Sequence, residues 1–278
     1  MGLPTEKRAP TPGMGKVLLY GEPKVGKSTL AATMDPDHTL VLDTEAGTTA
    51  IEAFVQPIRS WQEFRAVVKE LHDTEHPFTT VVVDTVDVLA QFAGDDVLAA
   101  LSGGTAAQYA HASDFEYGKG WNAWTDEFTL RAGALCRVVP NVVFISHVDV
   151  GTLKDRVGDE YQVYTPALAP KGIRNWLTGF VEHILFAELG PNDARLLRTQ
   201  PTRSYQAGGR TPLGAAKLPD PLPLEGPALK QALEALAAPV PVTKPKTAAG
   251  KAKPSAAPEK PQDTAPAGDD GQPQLSAA

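Results

Sequence analysis

The sequence has a single cysteine, Cys136, among its 278 residues. No disulfide can therefore form within the chain, and such low cysteine usage is typical of a reducing compartment. The six histidines are scattered without the spacing of a metal site. We find no signal peptide and no apolar run of membrane-spanning length, so we expect a cytoplasmic protein without membrane association.

Positive charge is also scarce, since 26 Lys and Arg residues stand against 33 Asp and Glu residues, for a net charge of −7. This balance excludes a surface that binds polyanions over its whole extent. A local basic surface remains open, because the stretch from Ala194 to Pro219 contains no acid. Its basic residues are Arg195, Arg198, Arg203, Arg210 and Lys217.

Large apolar residues are almost absent from residues 238–278, which consist mainly of Pro, Ala, Lys, Gln and Asp. This segment cannot bury enough surface to offset the entropy of ordering, so we expect a disordered C-terminal tail. Its lysines would either touch nucleic acid weakly or only keep the chain soluble. We expect a flexible N-terminus over 1–14, a core over 15–210, and an extension with a short helix over 211–237.

The most informative segment is residues 21–28, Gly-Glu-Pro-Lys-Val-Gly-Lys-Ser, which matches the phosphate-binding loop pattern G-x-x-x-x-G-K-[ST] in full. An apolar run of strand type, 16–20, precedes it, and a helix-forming run, 29–34, follows it. Strand, glycine loop and helix are the context that the motif requires. The residues expected to contact the nucleotide are Gly21, Glu22, Pro23, Lys24, Val25, Gly26, Lys27, Ser28 and Thr29.

The loop predicts the roles of two side chains. Lys27 should reach the β- and γ-phosphates, and the Ser28 hydroxyl should ligate Mg²⁺. The nucleotide should be ATP, because no Asn-Lys-x-Asp or Thr-Lys-x-Asp element that reads guanine is found. The second loop position is Glu22 rather than the lysine of partition ATPases, and no arginine-rich lid of a small-molecule kinase is evident.

A second acid for the magnesium shell is predicted at Asp84, which ends the β-branched run 79–83. The alternative role for Asp84 is to cap the helix that starts at Val86. Another strand, 39–42, leads into Asp43 and Glu45. We expect Glu45 to orient and polarise the attacking water, and Asp43 to be either a turn acid or an outer magnesium residue.

A further strand is predicted over 141–147, with Ser146 and His147 at its C-terminal end, beside the same edge of the sheet. A polar group there can sense the γ-phosphate, and we include His147 among the catalytic candidates with Lys27 and Glu45. The alternative is a histidine with only a structural hydrogen bond. Other predicted elements are helices over 60–71, 86–101 and 121–138, and a hairpin of strands 148–153 and 161–165 with its tip at 156–159.

The order of these motifs resembles the RecA-like ATPase core: the phosphate loop, Leu-Asp-Thr-Glu at 42–45, Val-Val-Val-Asp-Thr at 81–85, and Ile-Ser-His at 145–147. In that family the acid after the second strand is the catalytic glutamate, which corresponds to Glu45. The stretch 17–210 is more specifically similar to phage-encoded RecA-core ATPases of the single-strand-annealing recombinase group, the Sak-four type. Segments 116–121, 198–202 and 208–210 support this likeness. The chain is shorter than bacterial RecA and lacks an obvious N-terminal polymerisation strand.

The resemblance implies an α/β fold with a mostly parallel sheet flanked by helices, and an ATPase of DNA recombination located in the host cytoplasm. It implies single-stranded DNA and a single-strand-binding protein as partners, and a homo-oligomer whose ATP site is completed by a basic residue of the neighbour. Candidates for that trans-acting residue are Lys171, Arg174 and Arg210, and for DNA contacts Tyr117, Lys119, Arg198 and Arg203. For each of these, ordinary packing or an exposed surface charge is the alternative.

Two other functions fit the same motifs. One is a nucleotide-dependent switch or assembly ATPase that acts on a protein partner without DNA, which the acidic composition favours. The other is a module that holds ATP structurally and turns it over poorly. Salt-sensitive binding to single-stranded DNA would distinguish a recombinase from the switch. The rate of ATP hydrolysis with and without DNA would distinguish an ATPase from the module that only holds ATP.

Overall fold

The computed structural model of the protein describes residues 14–103, 111–210 and 217–237. The tail predicted over 238–278 and nearly all of the predicted flexible N-terminus therefore lie outside the described residues. Within the described part the chain forms ten strands and six α-helices. In chain order they are β1 Lys16–Gly21, α1 Lys27–Ala32, β2 Thr39–Asp43, β3 Phe54–Pro57, α2 Trp61–Asp73, β4 Thr80–Asp84, α3 Val86–Leu101, α4 Lys119–Val138, β5 Asn141–Lys154, β6 Glu160–Pro166, α5 Lys171–Phe180, β7 His183–Leu189, β8 Arg195–Arg198, β9 Gly208–Gly209, β10 Leu222–Pro223 and α6 Gly226–Ala237.

The sheet has the strand order β10-β8-β7-β1-β5-β4-β2-β3, with β6 paired to β5 and β9 paired to β7. The six strands from β7 to β3 are parallel to one another, and antiparallel pairs occur only at β6, β8, β9 and β10 among the described strands. This is the predicted α/β fold with a mostly parallel sheet, and it is consistent with a P-loop NTPase. Because the carboxyl ends of parallel strands meet at one edge, the polar residues that follow them are brought together.

Successive side chains of the central strands point to opposite faces of the sheet, and both faces are buried. In β1, Leu18 packs into one apolar core, whereas Val17 and Leu19 pack into the other. The first core lies under α2 to α5, and the second lies under α1 and α6. Strands buried on both faces read as continuous apolar runs, which is why they could be recognised in the sequence.

Several predicted elements differ in their bounds. The strand predicted over 141–147 and the first hairpin strand predicted over 148–153 are one continuous strand, β5, because no glycine or proline separates them at His147. The first half of β5 lies in the parallel sheet, and the second half pairs with β6 from Val148↔Pro166 to Lys154↔Glu160. Helix α1 ends at Ala32 rather than Met34.

The helix predicted from the Ser60 capping signal is α2. The Ser60 hydroxyl accepts a hydrogen bond from the backbone N–H of Glu63 at 3.2 Å, as an N-cap should. The Glu63 carboxylate accepts from the backbone N–H of Arg59 at 2.7 Å. Among the described residues, no helix combines the length and apolar character that a membrane crossing needs.

The segment 217–237 packs against the rest of the described chain. Strand β10 pairs with β8, and Leu229 and Leu233 of α6 are buried in the core that covers α1. Helix α6 therefore supports α1, the helix that follows the phosphate loop.

Candidate active site

The phosphate loop begins where β1 passes close to β7. Gly21 has a φ of 156°, and a Cβ at this position would lie 2.1 Å from the carbonyl oxygen of Ala187. No side chain fits there without separating the two strands. Gly26 has a φ of 111° and is the N-cap of α1, so it allows the turn from loop to helix that a residue with a Cβ resists.

Lys27 is the buried cation of the loop, with 6% of its surface exposed. Its Nζ donates hydrogen bonds to the carbonyl oxygens of Gly21 at 2.9 Å and Glu22 at 2.8 Å. Burial lowers the pKa of Lys27, while the carboxylates of Asp84 and Asp87 act in the opposite direction. The ammonium group is thus held at the mouth of the loop, where a bound phosphate would meet it.

Asp84 ends β4 and is buried, with 6% of its surface exposed. The N-cap of α3 is Thr85, so the alternative that Asp84 caps this helix is wrong. Burial raises the pKa of Asp84, and a hydrogen bond from the Ser28 hydroxyl opposes that effect. A carboxylate and a hydroxyl in contact are the hard oxygen donors that Mg²⁺ prefers, so Ser28 and Asp84 fit the predicted metal role.

Asp43 is the acid that shapes the turn after β2. Its carboxylate accepts hydrogen bonds from the backbone N–H groups of Glu45 at 3.0 Å, Gly47 at 3.2 Å and Thr48 at 3.1 Å, and from the Thr48 hydroxyl at 2.5 Å. Burial alone would raise the pKa of Asp43, but these hydrogen bonds outweigh it and the pKa is lowered. Of the two roles left open, the structure gives Asp43 that of a turn acid, which fixes the backbone of Glu45.

Two threonines join the end of β2 to the end of β4. The backbone N–H of Thr44 donates to the carbonyl of Asp84 at 2.7 Å, and the Thr44 hydroxyl accepts from the N–H of Thr85 at 2.8 Å. The Thr85 hydroxyl in turn donates to Oε1 of Glu45 at 2.8 Å. The Glu45 side chain is 36% exposed, so it is held in place yet open to water.

His147 lies at the same edge, because its register partner in β1 is Gly21. Its Nδ1 is 3.0 Å from Oδ2 of Asp87 and 3.8 Å from Oε1 of Glu45. The hydrogen bond with Asp87 raises the pKa of His147, and burial opposes this. The histidine thus has a structural partner on one nitrogen and lies beside the predicted catalytic glutamate.

One arginine near the phosphate loop, Arg195, is not among the residues predicted to contact the nucleotide. The Arg195 guanidinium approaches Gly26, since Nη1 would lie 3.3 Å from a Cβ built on that glycine. Arg195 belongs to the basic stretch 194–219, and two other arginines of that stretch have partners elsewhere. The Arg198 Nε donates to Oε1 of Glu188 at 2.6 Å, and the Arg210 guanidinium donates to the carbonyl of Gly179.

The other candidates lie away from the phosphate loop. The Tyr117 side chain is 98% exposed just before α4, and Lys119 is the exposed first residue of that helix. The Arg203 guanidinium carbon lies 5.0 Å from the centre of the Tyr161 ring. Lys171 and Arg174 lie in the first turn of α5.

Sequence reasoning missed Asp87 and Thr85 as site residues. Asp87 lies inside the predicted helix 86–101 and only three residues after Asp84, but the sequence motifs assign it no role. An acid in the first turn of the helix that follows the magnesium acid is the signal that could have found it. Thr85 had no such signal, because its contact with Glu45 depends on the pairing of β2 with β4.

The fold and these residues define a P-loop NTPase in which a buried lysine, an acid and a hydroxyl converge at the carboxyl edge of a parallel sheet. A family model described as an AAA domain, AAA_24, matches residues 15–211. The chain therefore belongs to this AAA domain family of P-loop ATPases, whose members bind a nucleotide and usually Mg²⁺. No curated protein matches the chain.

Proposed function

We propose that the protein is a Mg²⁺-dependent ATPase with Glu45 as the general base. The observation that carries the proposal is the position of the Glu45 carboxylate, fixed by the Thr85 hydroxyl at 2.8 Å and adjacent to the acid that ends β4. A carboxylate at this edge of the sheet can accept a proton from water. The alternative, a module that only stores ATP, does not require a positioned carboxylate.

The reaction uses groups already in place. The loop and Lys27 would hold the β- and γ-phosphates of ATP. Ser28 and Asp84 would hold Mg²⁺, which would neutralise charge on the phosphate oxygens. A water oxygen forms a bond to the γ-phosphorus while the bond from that phosphorus to the bridging oxygen of ADP breaks. The proton of the water passes to Glu45, and the products are ADP and inorganic phosphate.

We further propose that the ATPase acts on single-stranded DNA in phage recombination or strand annealing. The resemblance to the Sak-four group motivates this role. Exposed side chains support it, because Tyr117 can stack on a base and Lys119 can contact a phosphate. Arg203 adds a mostly exposed cation beside the Tyr161 ring, with Nη1 4.0 Å from Oδ2 of Asp155. Arg198 is the weakest of the candidates, because Glu188 already neutralises it.

The acidic composition gives a second candidate function, a nucleotide-dependent switch that acts on a protein partner. The rate of ATP hydrolysis measured without DNA, with single-stranded DNA and with double-stranded DNA separates the two. Stimulation by single-stranded DNA together with salt-sensitive binding supports the recombinase role. Hydrolysis that DNA does not change, without DNA binding at low salt, supports the switch.

The RecA-like resemblance also suggests a homo-oligomer with ATP sites shared between subunits. Lys171 and Arg174 are the better placed trans-acting candidates, because Arg210 already donates to a carbonyl of its own chain. Mixing Glu45→Gln protein with Lys171→Ala, Arg174→Ala or Arg210→Ala protein should restore some hydrolysis if the cation acts across the interface. No restoration by any of the three, with a monomeric mass in the presence of ATP and DNA, argues against shared sites.

A further inference from the structure

Asp87 joins the helix after the magnesium acid to the end of β5. Its Oδ1 accepts a hydrogen bond from the Ser146 hydroxyl at 2.6 Å. Its Oδ2 accepts from the backbone N–H of His147 at 2.6 Å and lies 3.0 Å from Nδ1 of the same residue. The Asp87 side chain is 13% exposed. An acid that only complements a helix dipole needs no such partners, so this carboxylate has a more specific task.

These contacts determine which nitrogen of the His147 imidazole carries a proton and how the ring is oriented. With Asp87 accepting at Nδ1, that nitrogen carries a proton, and the ring plane is fixed by the shared contact with the backbone. Among the residues that the structure describes, the hydrogen bonds of His147 leave Nε2 without a partner. The ring is 35% exposed at the strand end that pairs with Gly21 of the phosphate loop. Nε2 is therefore the atom that can meet a ligand.

We propose that Asp87 is a positioning residue for ATP hydrolysis, which orients His147 so that its Nε2 can donate a hydrogen bond to a phosphate oxygen beside Glu45. The inference rests on the proposed ATPase function and assigns the contact with the phosphate to His147. Asp87 itself touches neither nucleotide nor water in this role. It acts on the phosphate through the histidine, as carboxylates do behind catalytic and metal-binding histidines.

The charges around the ring favour a donor at Nε2. Asp87 faces it from α3, Glu45 faces it from the turn after β2, and Lys27 faces it from α1. The two carboxylates raise the pKa of His147, whereas burial and Lys27 lower it, and the net direction is upward. His147 therefore keeps its second proton at a pH where an ordinary histidine has lost it. Hydrolysis should then fall as the pH rises through this raised pKa.

The test uses Asp87→Asn, which keeps the shape and removes the charge. The pH dependence of kcat and the KM for ATP are measured for this variant, for wild type and for Asp95→Asn, a matched change at an exposed acid of the same helix. We expect kcat to fall about tenfold or more with little change in KM. Because loss of the carboxylate lowers the pKa of His147, the decline of kcat at high pH should begin at a lower pH. Asp95→Asn should behave as wild type.

Two further measurements separate positioning from simple stabilisation. In a His147→Gln background, Asp87→Asn should have almost no additional effect on kcat, since the residue through which it acts is gone. The NMR titration of the His147 ring, assigned with His147→Gln, should show a raised pKa that drops in Asp87→Asn.

A lowered stability with an unchanged pH profile and an unchanged ring titration would overturn the inference. If the wild-type protein does not hydrolyse ATP but the pKa of His147 still drops in Asp87→Asn, the proposed function is overturned. The orientation of His147 by Asp87 is then left in place.

Discussion

The carboxylate of Glu45 and the hydroxyl of Thr85 are joined by a hydrogen bond of 2.8 Å across the ends of β2 and β4. Thr85 directly follows Asp84, so the proposed base is hydrogen-bonded to the residue next to the magnesium acid. The Thr44 hydroxyl ties the same two strand ends together by accepting from the backbone of Thr85. The distance between base and metal acid is therefore set by the sheet rather than by a mobile loop.

Replacing Thr85 with Val should lower kcat by about 10- to 100-fold while ATP binding persists. A hydrogen bond to a charged group contributes about 1.5–3 kcal/mol, and each 1.4 kcal/mol is about a factor of ten. Thr85→Ser keeps the hydroxyl and should retain most of the activity. Equal rates in the Val and Ser variants would mean that the hydroxyl does not position Glu45.

Replacing Lys27 with Ala should abolish hydrolysis and weaken ATP binding, because the phosphates lose the buried ammonium that faces them. Lys69→Ala is the control, since Lys69 is an exposed lysine of α2 that lies outside the phosphate loop. ATP binding by calorimetry and turnover by phosphate release provide the comparison. Normal turnover in a folded Lys27→Ala protein would refute the assignment of the phosphate loop.

Gly21→Ala should destabilise the fold by about 1–3 kcal/mol or more, because the added Cβ would meet the Ala187 carbonyl at 2.1 Å. Gly179→Ala in α5 is the control. No atom within 4 Å would meet a Cβ there, and alanine favours a helix by about 0.5–1 kcal/mol. Denaturant unfolding followed by circular dichroism measures both. A Gly21→Ala protein as stable as wild type would contradict the close approach of β1 and β7.

Much of this site could be predicted because its residues follow recognisable strands. The runs before Gly21, Asp43 and Asp84 are buried on both faces, so their apolar character marks them in the sequence. The partners of Glu45 and His147 could not be predicted in the same way. They depend on the lateral order β1-β5-β4-β2, which places residues 40 or 60 positions apart in contact. The ion pair of Arg198 with Glu188 likewise depends on the pairing of β8 with β7.

DNA binding, if it uses the proposed surface, should depend on Lys119 and Arg203. Replacing both with Ala should weaken binding to single-stranded DNA, and each lost phosphate contact should reduce the slope of log K against log salt by about one. Arg198→Ala should change the slope less, because its charge is already paired with Glu188. Fluorescence anisotropy with a labelled oligonucleotide at several salt concentrations measures this.

Deletion of 238–278, which lie outside the described residues, should reduce DNA binding only slightly. The deletion should also leave hydrolysis intact, because the segment has few apolar residues. Binding that is lost with the tail and unaffected by the Lys119 and Arg203 changes would move the DNA contact to the tail lysines.

The most direct test of Glu45 as the general base is single-turnover hydrolysis of ATP with Mg²⁺ by wild type and Glu45→Gln, with ATP binding measured in parallel. Glutamine keeps the size of the side chain and its bond to Thr85 but cannot accept the proton of the water. ATP affinity should be unchanged, and the hydrolysis rate should be lower by about 10²- to 10⁴-fold, the usual contribution of a positioned general base. Hydrolysis by Glu45→Gln at the wild-type rate would contradict this role of Glu45 and place the base elsewhere.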